Sequence, residues 1–475
     1  MIQTKKAIGF FYGLGFLTFS YLFIKTIQIV SFSDFSLFEW QLKQTFQGSL
    51  QLPYPFIRTD PSLEFFPLPN LFFHLTNNRI DSTFPNLYPI LLSPIFHFFG
   101  RVGLQITQLL LFFLSLWLFF QMKRDHFLTL LLMFGASIPI YTNLIHDTIL
   151  IFFLEILLFY VLHKKLISIA SFITVTLVWM RPEMVFLILL LPFYFEWETI
   201  WKKYIVWLLA IGICFVCINY SFFGTVLPLR IFKNGNFKWN LEICIYLLRL
   251  LLEQIPIFTL FLILSLYQWF QKQKSFHSLA LIFITALVII LSPNTGGHNT
   301  PRYLYFLTPF YLFSIHQIVK NNLVKEWKWM ITTLLISFYS IYQLNYQTKE
   351  IIKISKFQSN TLSALKEIPE QTLVFNNSDF SFVAIPLLYQ NKNLILLRKS
   401  PEESGFSSFL TLNKINSFVF VELPPSPYEI PNPLLISNCS SNCKYTRIKT
   451  SALPNTMLPI IISTYHRNGD SETNF

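Results

Sequence analysis

Asp34, the His146-Asp147 pair, Arg181-Pro182-Glu183 and the run Pro293–Arg302 carry the side chains in this chain that could do chemistry. Asp34 follows the first apolar run, with Phe32, Phe35 and Phe38 around it. Partial burial would raise the pKa of such an acid and suit it to act as a general base; a solvated helix end is the plainer alternative. Glu39, further along, is read as structural. His146-Asp147 stands between two apolar runs with almost no other charge nearby, as a second polar group or as a cap on Thr148. Arg181 either pairs with Glu183 or projects into a cavity.

PNTGGHNTPRYLYFLTP is the most specific stretch. Gly296 and Gly297 free backbone amides to approach an anion closely, and His298 and Arg302 supply donors beside them. Pro301 can start a helix with Arg302 in its first turn, where the helix dipole disfavours a cation unless an anion is bound. Arg230 and Lys233, after FFGTVLP, are weaker members of the same set.

The elements that must position these groups are apolar. The 475-residue chain is 53% hydrophobic and 13% charged, against about 25% charge in soluble domains. Apolar runs of about 17–25 residues, long enough to cross a bilayer, recur along it. The net charge of +12 comes from Lys and Arg dispersed between those runs. That is a topology signal and not a nucleic-acid surface.

Lys5 and Lys6 precede a retained first helix, about Ala7–Val30, and put the N-terminus in the cytoplasm by the positive-inside rule. The loop from Ser31 to Gly100 is then outside. Its last piece, Tyr88–Gly100, is too short to span and carries Pro89 and Pro94, so it is expected as an interfacial or re-entrant helix. Val102–Gln121 crosses inward to Lys123 and Arg124. Leu128–Tyr141, Ile149–Leu162, Leu166–Met180 and Met184–Phe195 are the next expected crossings. Tyr204–Phe222 leads out to a loop with a surface helix at Leu241–Glu253. Pro256–Phe270, Leu279–Leu291, Tyr303–Val319 and Trp329–Leu344 complete about eleven spans. Residues 345–475 change character, with strand-length runs TLVFNN, NLILLRK, SFVFVEL and LPIIISTY and room for helices at Ser363–Ile368 and Phe380–Gln390. The fold class expected is mainly α: a polytopic membrane helix bundle with surface helices in the first outer loop and a small extracytosolic α/β domain. The expected division is a catalytic membrane domain at 1–344, first outer loop 31–101, followed by 345–475.

Cys214, Cys217 and Cys244 are read as packing residues. Cys439 and Cys443 could form a small disulfide in an oxidising compartment. No HExxH, GxSxG or Walker-type signature is present, which leaves zinc, serine and nucleotide hydrolysis unsupported. The polar candidates fall at the outer ends of helices. Acids that could activate a hydroxyl and bases that could grip a phosphate on one membrane face fit transfer of a group from a lipid-phosphate donor.

The order and spacing of SDFSLFEWQLKQTFQG, EFFPLPN with FPNLYPILLSPIFHFFG, IHDT, WMRPE, NYSFFGTVLPLR and GGHNTPRYLYFLTP resemble the GT-C class of membrane glycosyltransferases, the superfamily of protein mannosyltransferases and aminoarabinose transferases. Within that class the chain is most similar to uncharacterised spirochaetal glycosyltransferases. The segments cover residues 31–310. The resemblance implies that Asp34 is the first-loop acid, that Asp147 is a second outer-loop acid, and that Arg302 contacts the donor phosphate with help from Arg181. Where the family pattern reads acid–His–Thr, this chain reads His146-Asp147-Thr148, so His146 and Asp147 are both candidates for that role. Asp34 is followed by Phe and not by a second acid, so no metal ligands are assigned and a divalent cation is left open.

The implied activity is transfer of a sugar from a polyprenyl-phosphate donor to a lipid, glycan or protein acceptor by inverting displacement, at the outer face of a bacterial cytoplasmic membrane. No nucleic-acid partner is expected. An O-antigen ligase or polymerase-like enzyme usually has its large loop late in the chain. A lipid or sugar transporter would place charges in mid-span. A non-enzymatic scaffold would leave Asp34 and Gly296–Arg302 unexplained.

Overall fold

Long apolar stretches fold as helices because that ladder satisfies every backbone group without water, and in this chain prolines, glycines and polar caps decide where each helix ends. The computed structural model describes residues 2–27, 34–76, 79–195, 200–234, 240–271, 276–292, 300–320, 326–398, 405–422, 445–453 and 460–467. In chain order the helices begin with α1 (Ile2–Thr26), α2 (Asp34–Phe46), α3 (Leu87–Lys123), α4 (His126–Phe134), α5 (Thr148–His163), α6 (Ile167–Met180), α7 (Val185–Tyr194) and α8 (Trp201–Phe223). They continue with α9 (Leu229–Asn234), α10 (Leu241–Gln254), α11 (Pro256–Phe270), α12 (Phe276–Leu291), α13 (Thr308–Lys320), α14 (Glu326–Lys366), α15 (Ser378–Ala384) and α16 (Phe406–Leu412). The chain divides into two compact units, one of Met1–Gln28 with Pro94–Ile351, the other of Ile29–Ser93 with Ile352–Phe475. This division differs from a single cut at 344/345, because the first loop groups with the C-terminal segment.

In the first unit, α6 packs against α5 and α8, and α11 against α13. Tyr204 on α8 is fully buried; Ser171 of α6 donates to its carbonyl at 3.1 Å, and its hydroxyl meets Thr174 at 2.8 Å. Tyr311 of α13 packs on Phe258 and Phe261 at 5.2 and 5.3 Å, with Thr285 of α12 at its hydroxyl, 2.8 Å away. Asp125 caps α4 by accepting from the Phe127 and Leu128 amides at 2.9 and 3.2 Å. Asn240 caps α10 from its side chain, and Gly224 ends α8 with φ 67°, a left-handed conformation suited to glycine.

The expectation of about eleven spans is not reproduced. Among the described residues two helices, Leu87–Lys123 and Trp201–Phe223, are long and apolar enough to cross a membrane. A third candidate is the pair Leu241–Gln254 and Pro256–Phe270, bent by 90°. Only 6% of the most apolar window of α8 is buried, so this apolar helix exposes nearly all of that window. The expected span Leu128–Tyr141 is a nine-residue helix followed by a 3-10 turn at Ile138–Asn143. At 1.5 Å per residue such a helix falls far short of the ~30 Å hydrocarbon core. Hydropathy counts apolar residues; it does not see where Ser137 and Pro139 interrupt the ladder.

Tyr88–Gly100 and Val102–Gln121 are joined in α3, but Gly100 breaks the helix with φ 62° and ψ −155°. The expected boundary therefore falls where a residue without Cβ permits it. At the far end, α14 continues through the expected stop at Leu344 to Lys366 and absorbs most of Ser363–Ile368.

In the second unit, the short strands β1 (Phe73–Thr76) and β2 (Arg79–Ser82) pair antiparallel within the first loop. Strands β3 (Thr372–Phe375), β4 (Asn393–Leu396), β5 (Ser417–Glu422), β6 (Tyr445–Ala452) and β7 (Ile461–Arg467) form a sheet in the order β4-β3-β5-β7-β6. β3 is parallel to β4 and β5; β7 is antiparallel to β5 and β6. All four residues of β3 are buried, as a central parallel strand requires. β6 is an exposed edge carrying Arg447 and Lys449, charges that discourage further pairing. The four expected runs are thus strands. β6 and the β1–β2 hairpin are additions.

The first loop is built into this unit. Asp60 accepts from the Tyr54 hydroxyl at 2.8 Å and from the Glu64 and Phe65 amides at 2.9 Å each. Arg398, just past β4, donates to the carbonyls of Leu63, Glu64, Phe66 and Leu68. Phe65 and Phe56 pack on Phe409 of α16 at 4.4 and 5.2 Å, and Phe72 packs on Phe382 of α15 at 4.7 Å.

Candidate active site

The segment between α4 and α5 is held from both sides. The Ser137 amide donates to the Gln254 carbonyl at 2.9 Å, and the Ile257 amide donates to the Gly135 carbonyl at 3.3 Å, across the bend between α10 and α11. Tyr305 meets the Ser137 hydroxyl at 2.6 Å, and Tyr141 meets Thr300 at 2.6 Å. This frame delivers His146 and Asp147 to the N-terminal end of α5, both fully shielded from solvent.

Four of the residues singled out in the sequence come together there. Arg181, at the C-terminal end of α6, places Nη2 2.5 Å from Asp147 Oδ1 and Nη1 3.5 Å from Glu183. His146 Nδ1 lies 3.0 Å from the same Asp147 oxygen and 2.7 Å from the Thr148 hydroxyl. On the other side of the ring, Nε2 is 3.0 Å from Arg302 Nη1. A guanidinium can only donate, so Nε2 accepts from Arg302, while on the other side of the ring the Thr148 amide donates to Nδ1 at 3.2 Å. Arg302 leads the 3-10 turn Arg302–Leu307 with its guanidinium 5.7 Å from the Tyr303 ring. Asp147 does not cap α5 with its side chain; it is spent on Arg181. The plainer alternative, a capping role, is therefore set aside for this residue.

Arg230, the weaker candidate, is also here. Burial and the neighbouring Arg181 and Arg302 lower its pKa, while Tyr303 and Glu183 oppose that shift. Three arginines thus share a region with the carboxylates Asp147, Glu183 and Glu155, and their guanidinium groups supply the donors that an anion requires. Beside them opens a small cavity lined by Thr148, Glu155, Arg181, Glu183, Arg302 and Tyr305 and walled by apolar side chains.

Glu155 was missed in the sequence. It is a lone acid in the apolar helix IFFLEILLFY, and that isolation was the available signal. It also departs from the expectation that charges keep to helix mouths.

Asp34 is the first residue of α2, so it stands at a helix start and not at the C-terminal end of α1. Its side chain lies outside the described residues, as do Gly296, Gly297, His298, Cys439 and Cys443. Glu39 pairs with Lys43 at 3.3 Å, and Lys43 lies 3.9 Å over the Tyr389 ring, which agrees with a structural role. Cys214 and Cys217, spaced as CxxC, are free and exposed on α8, so they are not packing residues. Among the described residues no three His, Cys, Asp or Glu side chains gather as metal ligands.

No protein-family model and no curated protein matches this chain. Among solved structures it is similar to the crystal structure of ArnT from Cupriavidus metallidurans in the apo state. That likeness has a TM-score of 0.58 at 9% identity and covers 97% of this chain and 98% of that chain. The fold is therefore ArnT-like over nearly its whole length.

Proposed function

We propose that this chain is an integral membrane glycosyltransferase of the GT-C type, using a polyprenyl-phosphate sugar as donor at the outer face of the cytoplasmic membrane. The observation that carries the reading is the Asp147–Arg181 and His146–Arg302 chain beside a partly apolar cavity. The ArnT-like fold and the GT-C resemblance of the sequence support it.

In the proposed reaction the acceptor hydroxyl oxygen attacks the anomeric carbon and the bond from that carbon to the phosphate oxygen breaks. The electron pair leaves with the lipid phosphate, and the acceptor proton passes to the Asp34 carboxylate. Arg302 and Arg181 hold the phosphate as it gains charge, with Gly296, Gly297 and His298 assisting. A single displacement inverts the anomeric centre. The acceptor is a lipid, glycan or protein.

The test is turnover of polyprenyl-phosphate sugars by membranes carrying the protein. Arg302→Ala should lower kcat by about 10²–10³. Asp34→Asn should lower it by at least about 10² while donor binding persists. Near-normal turnover by Asp34→Asn would remove the base assignment. Failure of the unaltered protein to bind or consume any lipid-phosphate sugar would overturn the donor class.

A further inference from the structure

Glu155 is completely buried, and neither of its carboxylate oxygens has a hydrogen-bond partner among the described residues. A buried polar group without a partner is costly, and an acid on an apolar membrane helix is more costly still unless a partner arrives. Glu155 is not out of reach of one, because it lines the cavity beside Arg181 and Arg302. Thr148, Ile151, Phe152 and Glu155 follow one another at helical spacing on a single face of α5, the face that forms the cavity wall. Glu155 lies two turns along that face, about 10 Å from the Thr148 end, where the arginines gather.

Building on the donor reading above, we propose that Glu155 is a specificity-determining residue that accepts a hydrogen bond from a sugar hydroxyl of the donor. The arginines hold the phosphate at one end of the cavity, and the sugar reaches the carboxylate at the other. The partner is a neutral hydroxyl and not a ligand ammonium. Arg181 and Arg302 share the cavity and repel a further cation, while Asp147 and Glu183 are engaged with Arg181. A site that holds a buried acceptor discriminates against a ligand lacking the donor, because that ligand leaves the acceptor unpaired.

The experiment uses the full-length protein in detergent or nanodiscs and measures binding of undecaprenyl phosphate and of the same lipid bearing mannose, glucose or galactose. The expectation for the unaltered protein is tighter binding of at least one sugar-bearing lipid than of the bare lipid phosphate. Glu155→Leu should weaken that lipid about tenfold or more and leave undecaprenyl phosphate within about twofold. Glu155→Gln, which retains an acceptor oxygen, should keep most of the preference.

Equal weakening of both lipids by Glu155→Leu, or no weakening of either, overturns the assignment. So does a Glu155→Gln loss as large as that of Leu, since that outcome identifies a charged ligand group. Thermal unfolding of both variants separates these outcomes from misfolding; where Glu155→Leu no longer melts cooperatively, Glu155→Met carries the same test with the same expected and overturning results. Failure of the unaltered protein to bind any of the lipids overturns the donor reading itself. Binding by the unaltered protein with no effect at Glu155 overturns only this inference.

Discussion

His146 accepts from Arg302 on one side and meets Asp147 and Thr148 on the other. Asp147 is shared further with Arg181, and none of the three is accessible to solvent. Breaking a buried ion pair by removing one partner is more damaging than replacing both. Asp147→Asn is therefore expected to destabilise the first unit by about 3 kcal/mol. The double variant Asp147→Asn/Arg181→Met should recover much of that loss in thermal unfolding. An additive double variant would mean that the pair is not coupled in the folded state. The sequence made His146, Asp147, Arg181 and Arg302 visible because each interrupts apolar surroundings. It did not show that His146 bridges the two arginine sites, since residues 146 and 302 meet only through the fold. Glu155 escaped for a different reason: attention to helix mouths passed over the middle of α5.

At the scale of elements, the runs that read as strands became strands because short apolar runs bounded by Asn, Ser and Pro match buried strands in length and need no tertiary help to be seen. The hairpin β1–β2 did not announce itself, as Arg79 and Asp81 make RIDS look like loop. Its second strand buries Asp81 completely, with Arg79 Nε at 3.0 Å. Burial pushes the Asp81 carboxyl up to about 6, against the opposing pull of Arg79. A carboxyl whose pKa rises on folding gives stability that is fully present below about pH 4 and is lost as pH rises through about 6. The step is at most about 3 kcal/mol. Asp81→Asn should flatten this part of the stability-against-pH curve between pH 4 and 7, followed by thermal unfolding in that range. A variant curve with the same slope as the parent would assign the step to another group. Helix lengths were less legible than helix identity: Gly100 and Pro139 mark breaks, but nothing local predicts that α14 runs through position 344 to Lys366.

For the molecule as a whole, the sequence suggested that the greasy first loop serves the membrane face. Much of its apolar character has another use, since Phe56, Phe65 and Phe72 pack against residues from the last quarter of the chain. Hydropathy could not separate a lipid-facing aromatic from one reserved for a partner more than 300 residues away. Arg398 is the clasp of this arrangement, with four loop carbonyls as its acceptors. Arg398→Ala leaves those carbonyls without their donor, at about 1–3 kcal/mol for each that stays buried. Limited proteolysis of the variant should open cleavage within residues 53–72, while fragments from 94–351 stay as resistant as in the parent. Unchanged cleavage in the loop would show that the aromatic contacts alone are sufficient.

The same arrangement has a consequence for synthesis. Residues 29–93 belong to a unit whose other part begins only at residue 352. At translation rates of about 5–20 residues per second, the loop waits roughly a quarter of a minute to a minute for its partners to emerge. During that time its aromatic side chains lack their partners on α15 and α16, so chaperones that bind exposed apolar segments become a determinant of yield. Residues made some 300 positions later are the ones that finish folding the first loop.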